Sequence, residues 1–501
     1  GQFGGQSING IDRILAPYVR RSFEKYLEAS ISDQLDIYGM EEANIEMAKK
    51  VAWKRTKREI KSGVQTIQYQ INTLMTTNGQ APFVTLFMYF DPEDEYAYEA
   101  SLITEEILRQ RIEGIKNKQG INVTPAFPKL VYVLDEHNIH EDSPYYYLTR
   151  LAATCTARRM YPDYISAKKM KEIYEGNVFA PMGCRSFLSP WKDEDGNYKF
   201  DGRFNMGVVS INLAQIGILA GHDEEAYFDL LNKRLELVKQ ALLIRYERLK
   251  DVTSDVSPIH WQDGAIARLG AGEKITKYLE DGYSTLSLGY IGIYEATKCV
   301  IGTSHTTEEG HAFAMKLMHT LRDAVDRWKE ETGLGFALYG TPAESLTNRF
   351  ASIDKATFGE IEDITDKGYY TNSYHVDVRE EINVFDKFSF ESEFQKISTG
   401  GCISYVEIPN MNQNVDAVLT MMKYIYDHIS YAEFNTKSDY CGECGYDGEI
   451  KVNEHGDWEC PQCGNQDRNT LTVIRRTCGY LGENFWNEGR TKEITSRVLH
   501  I

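Results

Sequence analysis

Gly207-Val208-Val209-Ser210-Ile211-Asn212-Leu213 is a short β-branched and aliphatic run that no charge interrupts. Such a run suits a strand covered on both faces. Working outward, Leu130-Val131-Tyr132-Val133-Leu134, Phe336-Ala337-Leu338-Tyr339 and Pro82-Phe83-Val84-Thr85-Leu86-Phe87-Met88 read the same way. Helical patterns lie between them. Residues 224–250 set Phe228, Leu231, Leu235, Val238, Leu242 and Tyr246 at three- and four-residue spacing, one apolar stripe. Residues 307–332 open with Thr306-x-x-Glu309, a capping-box spelling, and stop at Gly333. A third helix over 414–429 starts from Asn414. Strands alternating with amphipathic helices from about residue 10 to 430 predict an α/β domain with a largely parallel sheet, open or closed into a barrel.

The 501 residues are 42% hydrophobic, 26% charged and 12% aromatic, the make-up of a globular protein with one large core or two to three smaller ones. No apolar run approaches the roughly twenty residues of a membrane helix, and no secretory signal opens the chain. We therefore expect a cytoplasmic protein. Its formal charge of −19 repels phosphate backbones, which argues against nucleic-acid binding but leaves room for a local nucleotide site. Nine cysteines are too sparse for a disulfide-stapled fold, and their grouping suggests metal and thiol chemistry in a reducing compartment. The chain begins at Gly1 rather than Met, which points to a start that is missing or processed.

After about residue 436 the texture changes. Residues 437–470 are rich in Gly, Asp, Asn and Cys and hold too few large aliphatics for a core of their own. Cys441-x-x-Cys444 and Cys460-x-x-Cys463 within this segment have zinc-ribbon spacing, each pair on a tight knuckle that Gly442, Gly445 and Gly464 make possible. An iron–sulfur cluster is the rival occupant. A closed four-thiolate shell has no open position, so the metal is expected to be structural. From Cys441 to Thr470 only Lys451 and Arg468 stand against seven Asp and Glu; an acidic ribbon suits a scaffold better than nucleic-acid contact.

Directly after the ribbon comes Arg475-Arg476-Thr477-Cys478-Gly479-Tyr480-Leu481-Gly482. Together with the four cysteines, this resembles the C-terminal end of anaerobic ribonucleoside-triphosphate reductases, where a zinc site precedes a glycyl-radical loop. A backbone α-carbon radical is delocalised over its amide nitrogen and carbonyl, and gains most where no side chain stands on the carbon. Gly479 fits, although a glycine in a turn is the ordinary alternative. Gly176-Asn177-Val178-Phe179-Ala180-Pro181-Met182-Gly183-Cys184-Arg185-Ser186 is similar to the family's thiyl loop, with Pro181 and Gly183 bending the chain around Cys184. A buried inert thiol is the alternative there, and is our reading of Cys155, Cys299 and Cys402. Within Gly202–Leu213, Asn205 resembles the asparagine near the substrate ribose, with Asn212 as second choice. Tyr339-Gly340-Thr341-Pro342-Ala343-Glu344-Ser345 resembles the loop that holds substrate phosphates, with Thr341, Pro342, Ala343, Glu344 and Ser345 as its residues, or it is a plain strand–helix turn. Gly4-Gly5-Gln6-Ser7, Pro125–Val131 and Asp142–Tyr146 also look like the family, so the resemblance runs along essentially the whole chain.

The resemblance implies a ten-stranded α/β barrel of the ribonucleotide reductase and glycyl radical enzyme type over residues 1–435, a four-cysteine zinc domain at 436–470, and the radical loop and tail at 471–501. It implies reduction of ribonucleoside triphosphates to deoxyribonucleoside triphosphates with a glycyl radical on Gly479, a thiyl on Cys184 and structural Zn2+. It further implies an activating enzyme with a 4Fe-4S cluster and S-adenosylmethionine, formate as reductant, dNTP and ATP effectors and a homodimer in a bacterial, or phage-infected, cytoplasm. Formate-using members carry a second cysteine on an early strand. No cysteine precedes Cys155 here, so the first strand is expected to lie outside this chain. The alternatives are an acyltransferase-type glycyl radical enzyme, which needs adjacent cysteines that are absent here, and a non-catalytic zinc-ribbon scaffold.

Overall fold

A computed structural model describes the chain except residues 1–4, 38, 74–82, 117–119, 184, 342–344, 438, 478, 484–486 and 501, and the side chains of 477, 480 and 483. Cys184, Pro342, Ala343 and Glu344 therefore lie outside the described residues. Among the described residues, nine strands carry the main region: β1 (Gln6–Asn9), β2 (Val84–Met88), β3 (Lys129–Leu134), β4 (Asp163–Ser166), β5 (Asn205–Asn212), β6 (Thr285–Ile291), β7 (Gly335–Gly340), β8 (Ser404–Glu407) and β9 (Tyr431–Asn435). They form a six-stranded sheet in the order β1-β2-β3-β4-β9-β8 and a three-stranded parallel sheet β5-β6-β7. Only the β4–β9 step of the larger sheet is antiparallel. The sheets meet where residues 400–401 run beside β7: Gly400 N–H donates to the Leu338 carbonyl at 2.7 Å and Gly340 N–H to the Gly401 carbonyl at 2.9 Å. The parallel α/β expectation holds. Among the described residues the main strands are divided between these two sheets, with no single closed sheet running through both.

Alternation along the strands sorts the side chains. Leu86, Met88, Leu130, Tyr132, Leu134 and Tyr164 face outward into one core, built with α1 (Ile11–Ser32), α2 (Ile45–Thr73), α3 (Ala97–Glu113) and α4 (Tyr146–Arg159). The intervening Phe87, Val131, Val133 and Ile165 face inward and pack on Phe179, Phe187 and Tyr431. Over the three-stranded sheet, short helices follow its strands, α5 (Leu213–Ala220) after β5 and α7 (Ile293–Ile301) after β6. The long helices α6 (Glu224–Leu249) and α8 (Glu308–Thr332) build a second core there around Leu231, Leu235, Leu317, Leu321 and Trp328. The cap of α8 is one residue later than the sequence suggests. Thr307, not Thr306, accepts from Gly310 N–H, while Thr306 bonds Ser304 and Glu380 instead. After β7 comes α9 (Leu346–Phe358). Helix α10 (Val415–His428) starts at Asn414 as expected, its side chain accepting from Ala417 N–H. Among the described residues, no helix is long and apolar enough to cross a membrane.

Candidate active site

The loop around position 184 is built from its flanks. Met182 and Ser186 pair across it in both directions, at 2.7 and 3.3 Å, and Gly183 takes φ +60°. Three strands hold it from outside. The Ser7 hydroxyl on β1 donates to the Pro181 carbonyl, and the Thr85 hydroxyl on β2 donates to the Gly183 carbonyl at 3.0 Å. On β5, the Asn205 amide donates to Ser287 Oγ at 2.6 Å and reaches Ser186 Oγ at 3.5 Å. There is no room for side chains where the loop crosses backbone: a Cβ on Gly5 would stand 2.3 Å from Gly183 Cα, and one on Gly401 2.0 Å from the Arg185 carbonyl.

The C-terminal tail arrives as a hairpin of β10 (Ile474–Thr477) and β11 (Tyr480–Glu483), with Thr477 opposite Tyr480 and residues 478–479 between them. Gly479 sits there with φ +95°, a conformation that side chains disfavour. Its carbonyl accepts from Lys129 Nζ at 3.0 Å. Successive strand residues point to opposite faces, and this pair of arginines uses both. Arg476 turns inward to Asp163 Oδ1 at 2.6 Å and Glu433 Oε2 at 2.9 Å. Arg475 turns to the four-cysteine segment, onto Asp439, the Ile450 carbonyl and the Trp458 ring.

Thr85, Lys129, Asp163 and Glu433 are all buried and, by strand alternation, share the inward face with Phe87, Val131 and Ile165. Thr85 and Lys129 are register partners, roughly one strand spacing, ~4.8 Å, apart. One holds the Gly183 carbonyl and the other the Gly479 carbonyl. The two loops therefore converge on neighbouring positions of one sheet face. Lys129 Nζ also binds Asp163 Oδ2 at 2.6 Å, so Asp163 takes a cation on each oxygen. Burial works against the Arg476 cation, but Asp163 and Glu433 more than offset it and raise its pKa. Burial, aided by the facing Asp163, pushes the Glu433 carboxyl up against the pull of Arg476.

The four thiols of Cys441, Cys444, Cys460 and Cys463 lie within 4.8 Å of one another. Cys441–Cys463 and Cys444–Cys460 are each 3.7 Å apart. Four sulfurs at ~2.3 Å from a tetrahedral zinc stand about 3.8 Å apart, so the thiols fit such an ion. Each knuckle closes on its first cysteine: Gly445 N–H donates to the Cys441 carbonyl and Gly464 N–H to the Cys460 carbonyl, both at 2.9 Å, with φ +77° and +73°. Gly442 differs from expectation. Its φ is not positive, and its smallness serves close packing, since a Cβ would meet the Thr470 carbonyl at 2.9 Å. The segment also has a small apolar cluster that its composition did not suggest, with Ile450, Trp458 and Leu471 around the sulfurs and Val473 and Ile494 completing it from the tail.

At the other end of the three-stranded sheet, α5, α7 and α9 begin at the carboxyl edge of β5, β6 and β7. Thr341 is buried there and shares a hydrogen bond with Ser210 at 2.8 Å. Ser345 stands at the start of α9, and its side chain does not cap the helix. Such an edge, with helix N-termini facing it, is where anions bind in α/β folds. Asn212 caps α5 by accepting from Gln215 N–H, and donates to Asp354 at 2.7 Å. Seven residues separate it from Asn205, ~23 Å along a strand. Only Asn205 lies beside the 182–186 loop.

The family model for anaerobic ribonucleoside-triphosphate reductase matches residues 1–500. The chain belongs to that family. It is 41% identical over 507 residues to the anaerobic ribonucleoside-triphosphate reductase of Escherichia coli K12, covering 100% of this chain and 68% of that one. Its fold is similar to crystal structures of the Thermotoga maritima anaerobic ribonucleotide reductase. The structure with glycerol in the active site matches at TM-score 0.66 and 17% identity, over 99% of this chain and 72% of that one. The structure in complex with dATP and CTP matches at TM-score 0.60 and 18% identity, over 94% and 75%.

In this member of the reductase family, sequence reasoning assigned no role to Ser7, Thr85, Lys129, Asp163 or Glu433. Ser7 and Lys129 lie in stretches that look like the family, and a lysine heading the apolar run Leu130–Leu134 is a signal in itself, because a charge entering a buried strand must find a partner. Cys155, Cys299 and Cys402 carry thiols that burial pushes up to about 12, so they stay protonated and unreactive.

Proposed function

We propose that the chain reduces ribonucleoside triphosphates to 2′-deoxyribonucleoside triphosphates, the reaction its family is named for, through a radical on Gly479 and a thiyl on Cys184. The observation that carries this reading is the register pair Thr85 and Lys129, which binds the Gly183 and Gly479 carbonyls from adjacent positions of one buried face. In the reaction, a hydrogen atom passes from the Cys184 thiol to the Gly479 α-carbon radical. The thiyl takes the ribose 3′ hydrogen, the 2′ hydroxyl leaves as water after protonation, and two electrons from the reductant with a second proton form the new C2′–H bond. Cys184 then returns its hydrogen to C3′, and the radical passes back to Gly479. The chain's own work is positioning and exclusion of water and oxygen. Asn205 stands at the edge of the thiyl loop and is assigned to the ribose. The stretch Thr341–Ser345, whose described ends Thr341 and Ser345 flank β7 and α9, is assigned to the phosphates, with Thr341, Ser345 and backbone N–H groups as donors.

Cys441, Cys444, Cys460 and Cys463 would hold a structural zinc, whose chemistry is to pin two knuckles into one scaffold. A ten-stranded barrel, formate as reductant, nucleotide effectors, a homodimer and an activating enzyme with a 4Fe-4S cluster and S-adenosylmethionine complete the reading by family resemblance. The acyltransferase and scaffold readings are not favoured, since the reductase family matches almost every residue. The test is anaerobic activation followed by electron paramagnetic resonance and a nucleotide-reduction assay. Gly479→Ala abolishes a doublet signal; Cys184→Ser keeps the doublet and loses reduction. A doublet that survives Gly479→Ala overturns the radical assignment, and turnover that survives Cys184→Ser overturns the thiyl.

A further inference from the structure

We propose that Lys129 is the positioning residue of the radical centre: its ammonium group holds the Gly479 carbonyl in place and biases hydrogen exchange toward the glycyl radical. This rests on Gly479 being the radical site. Lys129 Nζ stands 3.0 Å from the Gly479 oxygen and 2.6 Å from Asp163 Oδ2, with the Tyr431 ring 5.4 Å away. Both Lys129 and Asp163 are fully buried, so water does not screen the charge. Asp163 offers its other oxygen to Arg476 at 2.6 Å. Because Arg476 lies three residues before Gly479, this single carboxylate sets the distance between the hairpin and the lysine.

In the exchange one hydrogen atom moves: the S–H bond of Cys184 breaks and the α-C–H bond of Gly479 forms, or the reverse, with no change of net charge. On the glycyl side the unpaired electron spreads onto the carbonyl, and electron density rises on its oxygen. The ammonium is aimed at that atom. A preorganised donor placed where density develops stabilises the radical more than the closed-shell glycine. The result is a centre parked on glycine between turnovers.

The wild-type chain tests this directly. In protein made with 15N-lysine, pulsed electron paramagnetic resonance of the glycyl doublet should show one weak 15N coupling, which Lys129→Arg removes. Lys129→Met should lower the radical yield per folded chain by about tenfold or more, the weight of one charge-assisted hydrogen bond. Lys129→Gln, a neutral donor, should recover part of it. A doublet with no lysine coupling overturns the proposal, as does Lys129→Met with unchanged yield. If no doublet forms in wild type, the radical assignment itself falls and takes this proposal with it.

Discussion

Asp439→Ala should uncouple the four-cysteine segment from the 474–483 hairpin without removing any of the four thiols. Asp439 stands two residues before Cys441. One of its oxygens accepts from Ile450 N–H at 2.9 Å, inside the segment. The other accepts from Ile474 N–H at 3.1 Å and from the Arg475 guanidinium, both on the hairpin. Removing the carboxylate leaves Arg475 buried on the Ile450 and Ile474 carbonyls and the Trp458 ring alone. Breaking one side of a buried ion pair costs ~3–5 kcal/mol. The two stranded N–H groups add to that, but neighbouring effects do not sum fully. About 4 kcal/mol, roughly a thousandfold in the docking equilibrium, is the working figure. Hydrogen exchange read by mass spectrometry should show much faster exchange in 474–483. Zinc content should stay at about one per chain, since Asp439 is no ligand, and the radical yield should fall. Asp439→Asn, which keeps an acceptor, should lie between. Unchanged hairpin protection with full radical yield in folded Asp439→Ala would refute this chain of reasoning.

Three further outcomes are expected. Chelating the zinc should unfold the ribbon and loosen the hairpin while the nine-stranded region keeps its melting transition; loss of both together would contradict a separate scaffold. Asn212→Ala should cost about 1 kcal/mol as a lost helix cap, seen in denaturant melts with turnover largely kept, whereas Asn205→Ala should depress kcat; the opposite pattern would exchange the two assignments. His500 accepts Glu407 N–H on Nδ1 at 2.8 Å, and burial, with Lys387 nearby, lowers its pKa to about 4. The unfolded chain binds that proton first, so stability should be lost as pH falls from ~6.5 toward 4, by up to about 3 kcal/mol. Melts of His500→Gln should lack that component; an identical pH profile would exclude it.

What the sequence made legible was local. Apolar runs marked β3, β5 and β7, helical spacing marked α6 and α8, and the two Cys-x-x-Cys pairs marked the thiol cluster, because each pattern is complete within a few residues of itself. The cap of α8 slipped by one because Thr306 and Thr307 are adjacent and identical, and only the partner hydroxyl and carboxylate of Ser304 and Glu380 distinguish them. Gly442 was misread for a related reason: a close approach by Thr470 leaves no trace near position 442. The charged face was beyond local reading. Lys129, Asp163 and Arg476 are separated by as many as 347 residues in the chain, and no periodicity links them.

That charged face explains why the hairpin needs two adjacent arginines. A single arginine could bind either the ribbon or the sheet, and the hairpin would then pivot about one contact. With Arg475 on Asp439 and Arg476 on Asp163 and Glu433, opposite faces of one strand are fixed at once. Lys129 adds a third point at the Gly479 carbonyl. Three separated contacts define a rigid placement where two leave a hinge. Asp439 orients the hairpin against the four-cysteine segment, and Asp163 fixes its depth against the sheet. The buried ion pairs are therefore better understood as devices of register than as sources of net stability, since desolvation offsets much of their attraction. Replacing the inner set by apolar residues of equal volume would then leave a folded chain whose Gly479 is no longer held to the sheet face that also carries the 182–186 loop.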